Sequence, residues 1–146
     1  MNAMIKIIGK DSVVENMPIF PIAQLIGFNL VEMGEGHAVM ELEAEMKHRN
    51  PMGTLHGGVI CDVADAAMGA AYYTTLEEGE SFTTIELKIN YLKPVWEGLI
   101  RAEGRVIKNG KTIGLLKCEV TDSENSLVAF ATSTCMTLRG ESAGGR

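Results

Sequence analysis

"NPMGTLHGGVICDVADAAMGAAYY", residues 50–73, decides how this chain folds. It opens on a polar turn, passes through His56-Gly57-Gly58, and then runs apolar except for Asp62 and Asp65. A helix from about Gly57 to Tyr73 would be roughly 25 Å long at 1.5 Å per residue. Its apolar residues (Val59, Ile60, Val63, Ala64, Ala67, Met68, Ala70) point nearly all round, the pattern of a helix enclosed by other structure. Gly58, Gly69 and the alanines keep it slim, so a curved sheet can close tightly on it.

The flanking segments supply that sheet. Upstream, "FNLVEM" is a strand, "GEG" a turn, and "HAVMELEAE" alternates Ala38, Met40 and Leu42 against Val39, Glu41 and Glu43, which predicts a half-buried antiparallel pair. Downstream, "EEGES" is a turn, and in "FTTIELKINYLKPV" Ile85, Leu87, Ile89 and Tyr91 alternate with Glu86, Lys88 and Asn90. "LIRAEGRVIK" and "KTIGLLKCEVTD" flank Asn109-Gly110, a dipeptide suited to a type I′ turn, and should form a hairpin. "LVAFATSTCMTL" is the last strand, after the turn "SENS". Pro18 and Pro21 restrict "VVENMPIFPIAQLIGF" to short helical pieces around residues 12–26. The expected architecture is α+β: a curved antiparallel sheet wrapped around one long central helix.

At 146 residues and 46% hydrophobic content, the chain has enough for one core, so residues 1–146 are taken as a single domain. The first ten residues and the final "GESAGGR" (140–146) are expected to be flexible. No apolar run reaches the roughly 18 residues of a membrane span, and the N-terminus lacks a secretory pattern, so a cytoplasmic protein without a membrane partner is expected. Cys61, Cys118 and Cys135 are odd in number and set in apolar surroundings, as buried thiols in a reducing compartment would be. A net charge of -6 argues against a nucleic-acid partner. His37, His48 and His56 form no HExxH, and CxxC, calcium-loop, GxSxG, Walker A and GxGxxG patterns are missing. Neither metal nor cofactor is expected.

The strings "NPMGTLHGGVICDVADAAMG", "TTIELKINYLKPVWEG" and "VIKNGKTIGLLKCEV" resemble the acyl-CoA thioesterases of the hotdog-fold superfamily. The particular likeness is to the phenylacetyl-CoA thioesterase-like and thioesterase-superfamily-member-two-like enzymes, and it spans roughly Ile26 to Leu138. It implies the hotdog fold, metal-free hydrolysis of acyl-CoA, with CoA as part of the substrate, and a homodimer with shared sites, often assembled as a homotetramer.

Thioester hydrolysis needs a place for charge on the carbonyl oxygen and a group that activates water or attacks the carbon. Gly57 and Gly58 lie at the helix start, where N–H groups lack intrahelical partners and no Cβ blocks a ligand. The Gly57 N–H is the candidate oxyanion donor; the alternative is that both glycines only permit a sharp turn. Asp65 is the candidate base or nucleophile, at the position the resemblance gives the family's catalytic acid. A buried carboxylate is costly, so it should border a cavity unless it shares a solvent-facing stripe with Asp62.

Asp65 is nine residues past His56, about 13 Å along the axis and half a turn round, so one chain cannot easily aim both at one carbon. If both serve one reaction, they come from different subunits. Asn50 either donates its amide to the thioester carbonyl or to the attacking water, or simply forms its turn. His56 either orients the loop or hydrogen-bonds near the carbonyl, or is a satisfied structural histidine. The resemblance puts a supporting hydroxyl at Thr84, which is assigned the face of Glu86, away from Thr83 and Ile85. Met52 and Met68 are acyl-pocket candidates or plain core.

For coenzyme A, the resemblance points to the hairpin Lys108, Asn109, Gly110, Lys111 and Thr112. Lys93, Gly58 and Arg101 or Arg105 could assist, or these cations form an ordinary solvated rim. Two other readings stand beside hydrolysis: a hydratase or dehydratase of the same fold, and a non-catalytic acyl-CoA sensor.

Overall fold

A computed structural model describes Lys6–Ile7 and residues 21–144 of the chain. Its elements are β1 (Lys6–Ile7), α1 (Pro21–Ile26), β2 (Asn29–Gly34), β3 (His37–Ala44), α2 (Gly57–Tyr73), β4 (Ser81–Tyr91), β5 (Gly98–Asn109), β6 (Ile113–Thr121) and β7 (Leu127–Leu138). Short 3-10 turns follow β3 at Met46–His48 and β7 at Gly140–Ala143, so the start of the expected tail carries regular structure. Of the helical pieces anticipated over residues 12–26, α1 is present and the earlier part lies outside the described residues.

One sheet runs in the order β1-β2-β3-β5-β6-β7-β4, and every pairing is antiparallel except the short parallel β1–β2 contact. The sheet curves round α2, which touches β2 through β7. The helix spans the stretch anticipated for it, and Ile60, Val63, Ala64, Ala67, Met68, Ala70, Ala71 and Tyr72 are buried on it. Its slimness has a measurable consequence at Gly104 of β5, where a Cβ would sit 2.5 Å from the carbonyl oxygen of Ala67. Helix backbone therefore rests directly on strand backbone. Ala38, Met40 and Leu42 face α2, as their alternation predicts. Met68 is core, whereas Met52 is 76% exposed.

Two expectations about β-geometry fail. The type I′ turn does not lie at Asn109-Gly110, neither of which has positive φ. Asn109 pairs with Gly114, the Gly110 N–H bonds the Ile113 carbonyl at 2.9 Å, and the chain reverses at Lys111-Thr112. A register shift between Val106 and Lys108 and the anchoring of both turn carbonyls override the local Asn-Gly preference. Arg139 donates to the Lys111 carbonyl and the Thr137 N–H to that of Thr112, each at 2.7 Å. The turn with positive φ at both central residues is instead Glu35-Gly36 (φ 52° and 75°), between β2 and β3.

The second failure is on β4. Thr84 pairs with Cys135 and Glu86 with Thr134, which leaves Ile85 as a bulge, 54% exposed. The bulge resets the alternation. Thr84 therefore shares the inner face with buried Cys135, while Glu86 accepts from the Thr134 hydroxyl on the outer face at 3.0 Å, so the two residues do not share a face.

Candidate active site

The loop before α2 is pinned at both ends. Arg49 bridges Leu55, the Leu55 N–H bonds the Val95 carbonyl, and the His56 N–H bonds the His48 carbonyl. Asn50 builds the turn between them. Its side-chain oxygen accepts from the N–H groups of Met52 (3.0 Å) and Thr54 (3.2 Å), and its amide donates to the Thr54 hydroxyl at 2.8 Å. The turn-forming role is thus filled, with one amide hydrogen left over among the described residues.

His56 is the N-cap of α2. Its Nδ1 accepts from the Gly58 N–H at 2.8 Å, and its carbonyl accepts from Val59 (3.0 Å) and Ile60 (3.2 Å). A helix begins with four N–H groups lacking intrahelical partners. Here the His56 N–H goes to the His48 carbonyl, those of Gly58 and Val59 go to His56, and among the described residues only the Gly57 N–H has no acceptor. Gly58 spends its N–H on His56, which also crowds any side chain there: a Cβ on Gly58 would lie 2.9 Å from Nδ1.

Gly57, Cys61 and Asp65 recur every fourth residue, so they follow one stripe of α2. That stripe turns toward the inner face of β4. At its beginning, the Tyr91 hydroxyl donates to the Gly57 carbonyl at 2.7 Å. Further along, the Thr84 hydroxyl is 3.7 Å from the Cys135 sulfur, a thiol that also feels the charge of Asp65. Both Asp65 and Asp62 are exposed in the single chain. Burial by surrounding atoms nevertheless pushes the Asp65 carboxyl above its ordinary value of 3.8, and the negative charge of Asp62 pushes the same way. Burial raises the Tyr91 phenol as well, with Cys61 and Asp62 adding to it. Tyr91 escaped the sequence reading; strand parity puts it on the inner face but says nothing of its reach to α2.

The cations divide into two sets. Lys93 is held by Asp122 at 2.6 Å, which raises the one and lowers the other; Arg101 is paired with Glu41 and Arg105 with Glu103. Lys108 and Lys111 are exposed and have no anionic partner among the described residues. Their hairpin lies over the far end of α2, where Thr137 links the Thr112 carbonyl to the Tyr72 hydroxyl. Gly57 is about 22 Å from Tyr72 along the helix. Among the described residues, no group of three or more His, Cys, Asp or Glu could hold a metal ion, and no helix is long and apolar enough to cross a membrane. His48 is fully used in structure, bonding the Glu45 N–H and the Ile26 carbonyl.

Residues 52–129 match the family model of the thioesterase superfamily. The chain belongs to that superfamily. As a thioesterase it hydrolyses thioesters, and its relatives carry that chemistry in their names. It is 29% identical to the 1,4-dihydroxy-2-naphthoyl-CoA hydrolase of Listeria monocytogenes, over 77% of this chain and 92% of the relative. It is 28% identical to acyl-coenzyme A thioesterase 13 of Mus musculus, over 84% and 79%. A conserved protein of Pseudomonas aeruginosa has the same fold, with a TM-score of 0.79 and 31% identity, covering 82% of this thioesterase and 95% of that chain. The sheet of six antiparallel strands curved around one long helix is the hotdog fold of these thioesterases.

Proposed function

We propose that this thioesterase cleaves acyl-CoA, with water adding to the thioester carbonyl and coenzyme A leaving as its thiol. The observation that carries the reading is the Gly57 N–H, left without an acceptor on the same helix stripe as Asp65, whose carboxyl is made more basic by burial. An amide at a helix start is suited to the charge that develops on the carbonyl oxygen. Asp65 takes a proton from water and passes it to the leaving sulfur, or it attacks the carbon to give an anhydride and the coenzyme A thiolate; the water that then opens the anhydride restores the carboxylate and supplies the proton the thiolate takes up. Thr84, on the inner face beside Cys135, supports the carboxylate or the water. The spare amide hydrogen of Asn50 is available to the thioester, and no further cofactor enters these steps.

Gly57 and Asp65 are about 12 Å apart along the axis. A second copy resolves the separation: Gly57 of one chain meets Asp65 of the other across a twofold axis. β4 supports this as an eleven-residue strand at the edge of the sheet, with Ile85 and Tyr91 more than half exposed. The same pairing turns the far end of the second helix, with its Lys108 and Lys111, toward the first chain's Gly57. Those unpaired cations then suit the phosphates of coenzyme A, and Lys93 does not, being neutralised by Asp122.

The test is a panel of aryl-, branched- and straight-chain acyl-CoA esters, with thiol release as readout and hydration of an enoyl-CoA assayed alongside. Thiol release is expected. Asp65→Asn should cut turnover by ~100-fold or more, the scale of a lost general base, with an unchanged circular-dichroism spectrum. An Asp65→Asn protein working at full rate, or enoyl hydration without thiol release, would overturn the reading.

A further inference from the structure

Tyr91 stands next to the one α2 amide that has no acceptor among the described residues, yet it belongs to a different element. Its hydroxyl donates to the Gly57 carbonyl at 2.7 Å, and its ring lies so close over Gly57 that a Cβ there would come within 2.9 Å of Cζ. Only a glycine admits the ring at that distance. The contact joins the last residue of β4 to the first residue of α2.

The peptide linking Gly57 to Gly58 is thereby gripped from both sides. Its carbonyl receives the Tyr91 hydroxyl, and its N–H goes to the His56 ring at 2.8 Å. The preceding peptide, between His56 and Gly57, presents the free N–H, while its carbonyl accepts from Val59 and Ile60. Two bonds to that carbonyl polarise the N–H opposite them. The two peptides meet at the Gly57 Cα, where glycine offers the least resistance to rotation. Holding the second peptide therefore removes the freedom at Gly57 through which the first could still turn.

We infer that Tyr91 is a positioning residue: its hydroxyl locks the first turn of α2 so that the Gly57 N–H stays aimed at the substrate oxygen. This rests on the reading of Gly57 as the oxyanion donor. It names a residue that touches neither water nor thioester and acts through the carbonyl it holds. Because the oxyanion exists only in the transition state, loss of aim falls on kcat and leaves substrate binding almost unchanged.

Tyr91→Phe keeps the ring over Gly57 and removes the hydroxyl. On the best acyl-CoA of the panel, kcat should drop about ten-fold, the rate equivalent of one hydrogen bond, with KM held within about two-fold. A second measurement leaves the fold alone: 3,5-difluorotyrosine at position 91 carries a phenol far more acidic than that of tyrosine, its pKa raised there by the same burial that raises Tyr91, and a phenolate cannot donate. Its kcat should fall as pH rises through that ionisation, over a range where the unmodified enzyme is flat. An unchanged kcat in Tyr91→Phe, a loss confined to KM, or a fluorotyrosine profile identical to wild type would each overturn the inference. These results are read beside Asp65→Asn. If the wild type releases no thiol or Asp65→Asn is fully active, the functional reading has failed; if both behave as expected and Tyr91→Phe keeps its kcat, only the positioning role has.

Discussion

Asp65 must be ionised to accept a proton, and its surroundings resist ionisation, so its carboxylate is a stronger base that becomes available only at higher pH. The kcat/KM profile should therefore fall on the acid side with a midpoint above 3.8, the ordinary aspartate value. Burial is the larger cause and the charge of Asp62 the smaller. Asp62→Asn removes the smaller, so the acid limb should move to lower pH in that variant; a limb that stays put or moves up would disconnect Asp65 from the profile. The sign in stability is opposite. A carboxyl with a raised folded-state pKa weighs against the fold above that pKa, and the cost fades as pH falls through it toward the unfolded value. Asp65→Asn should thus lose turnover without losing thermal stability at neutral pH. The positions of Gly57 and Asp65 on α2 were legible from the apolar run and its glycine start, whereas the choice of Asp65 over Asp62 rested on the family resemblance. Asn50 was less legible, since its turn-forming bonds and a ligand contact call for the same residue type. Tyr91 was hidden: a contact across thirty-four positions leaves no local pattern.

Between elements, backbone meets backbone where α2 crosses Gly104 of β5, and the glycines along the helix–sheet contact are not interchangeable. At Gly104 an added methyl meets the Ala67 carbonyl and the Met68 nitrogen, atoms that cannot yield without moving the helix. Gly104→Ala should cost about 1–3 kcal/mol in urea unfolding. At Gly69 the added methyl finds the Phe82 ring edge 3.5 Å away, an ordinary contact, and a helix interior favours alanine over glycine. Gly69→Ala should therefore gain up to about 1 kcal/mol. Opposite signs from one chemical change would confirm that α2 lies on β5 backbone; equal signs would refute it. The succession of elements along the chain and the helix were readable from apolar period; the sheet order, with β3 beside β5 and β4 beside β7, was not. The Ile85 bulge and the Lys111-Thr112 turn were not, because each is set by pairing with β7 or by Arg139, far away in the chain.

At the scale of the molecule Gly57 and Asp65 stand about 12 Å apart along α2, and the proposal that two chains share each site is testable by mixing two dead enzymes. Asp65→Asn removes the base. Gly57→Pro removes the amide hydrogen at the first helical position, where proline is well tolerated, and the preceding His56 already has the extended ψ of 132° that a following proline requires. The proline ring displaces Tyr91, which is exposed and can turn aside; either loss disables the same end of the helix. In a dimer with shared sites, a mixed pair has one site carrying both lesions and one carrying neither. Random reassortment from denaturant makes half of the dimers mixed, so about a quarter of wild-type activity should return. If Gly57 and Asp65 of one chain served one substrate, every site in every dimer would retain a lesion, and the mixture would stay as inactive as its components.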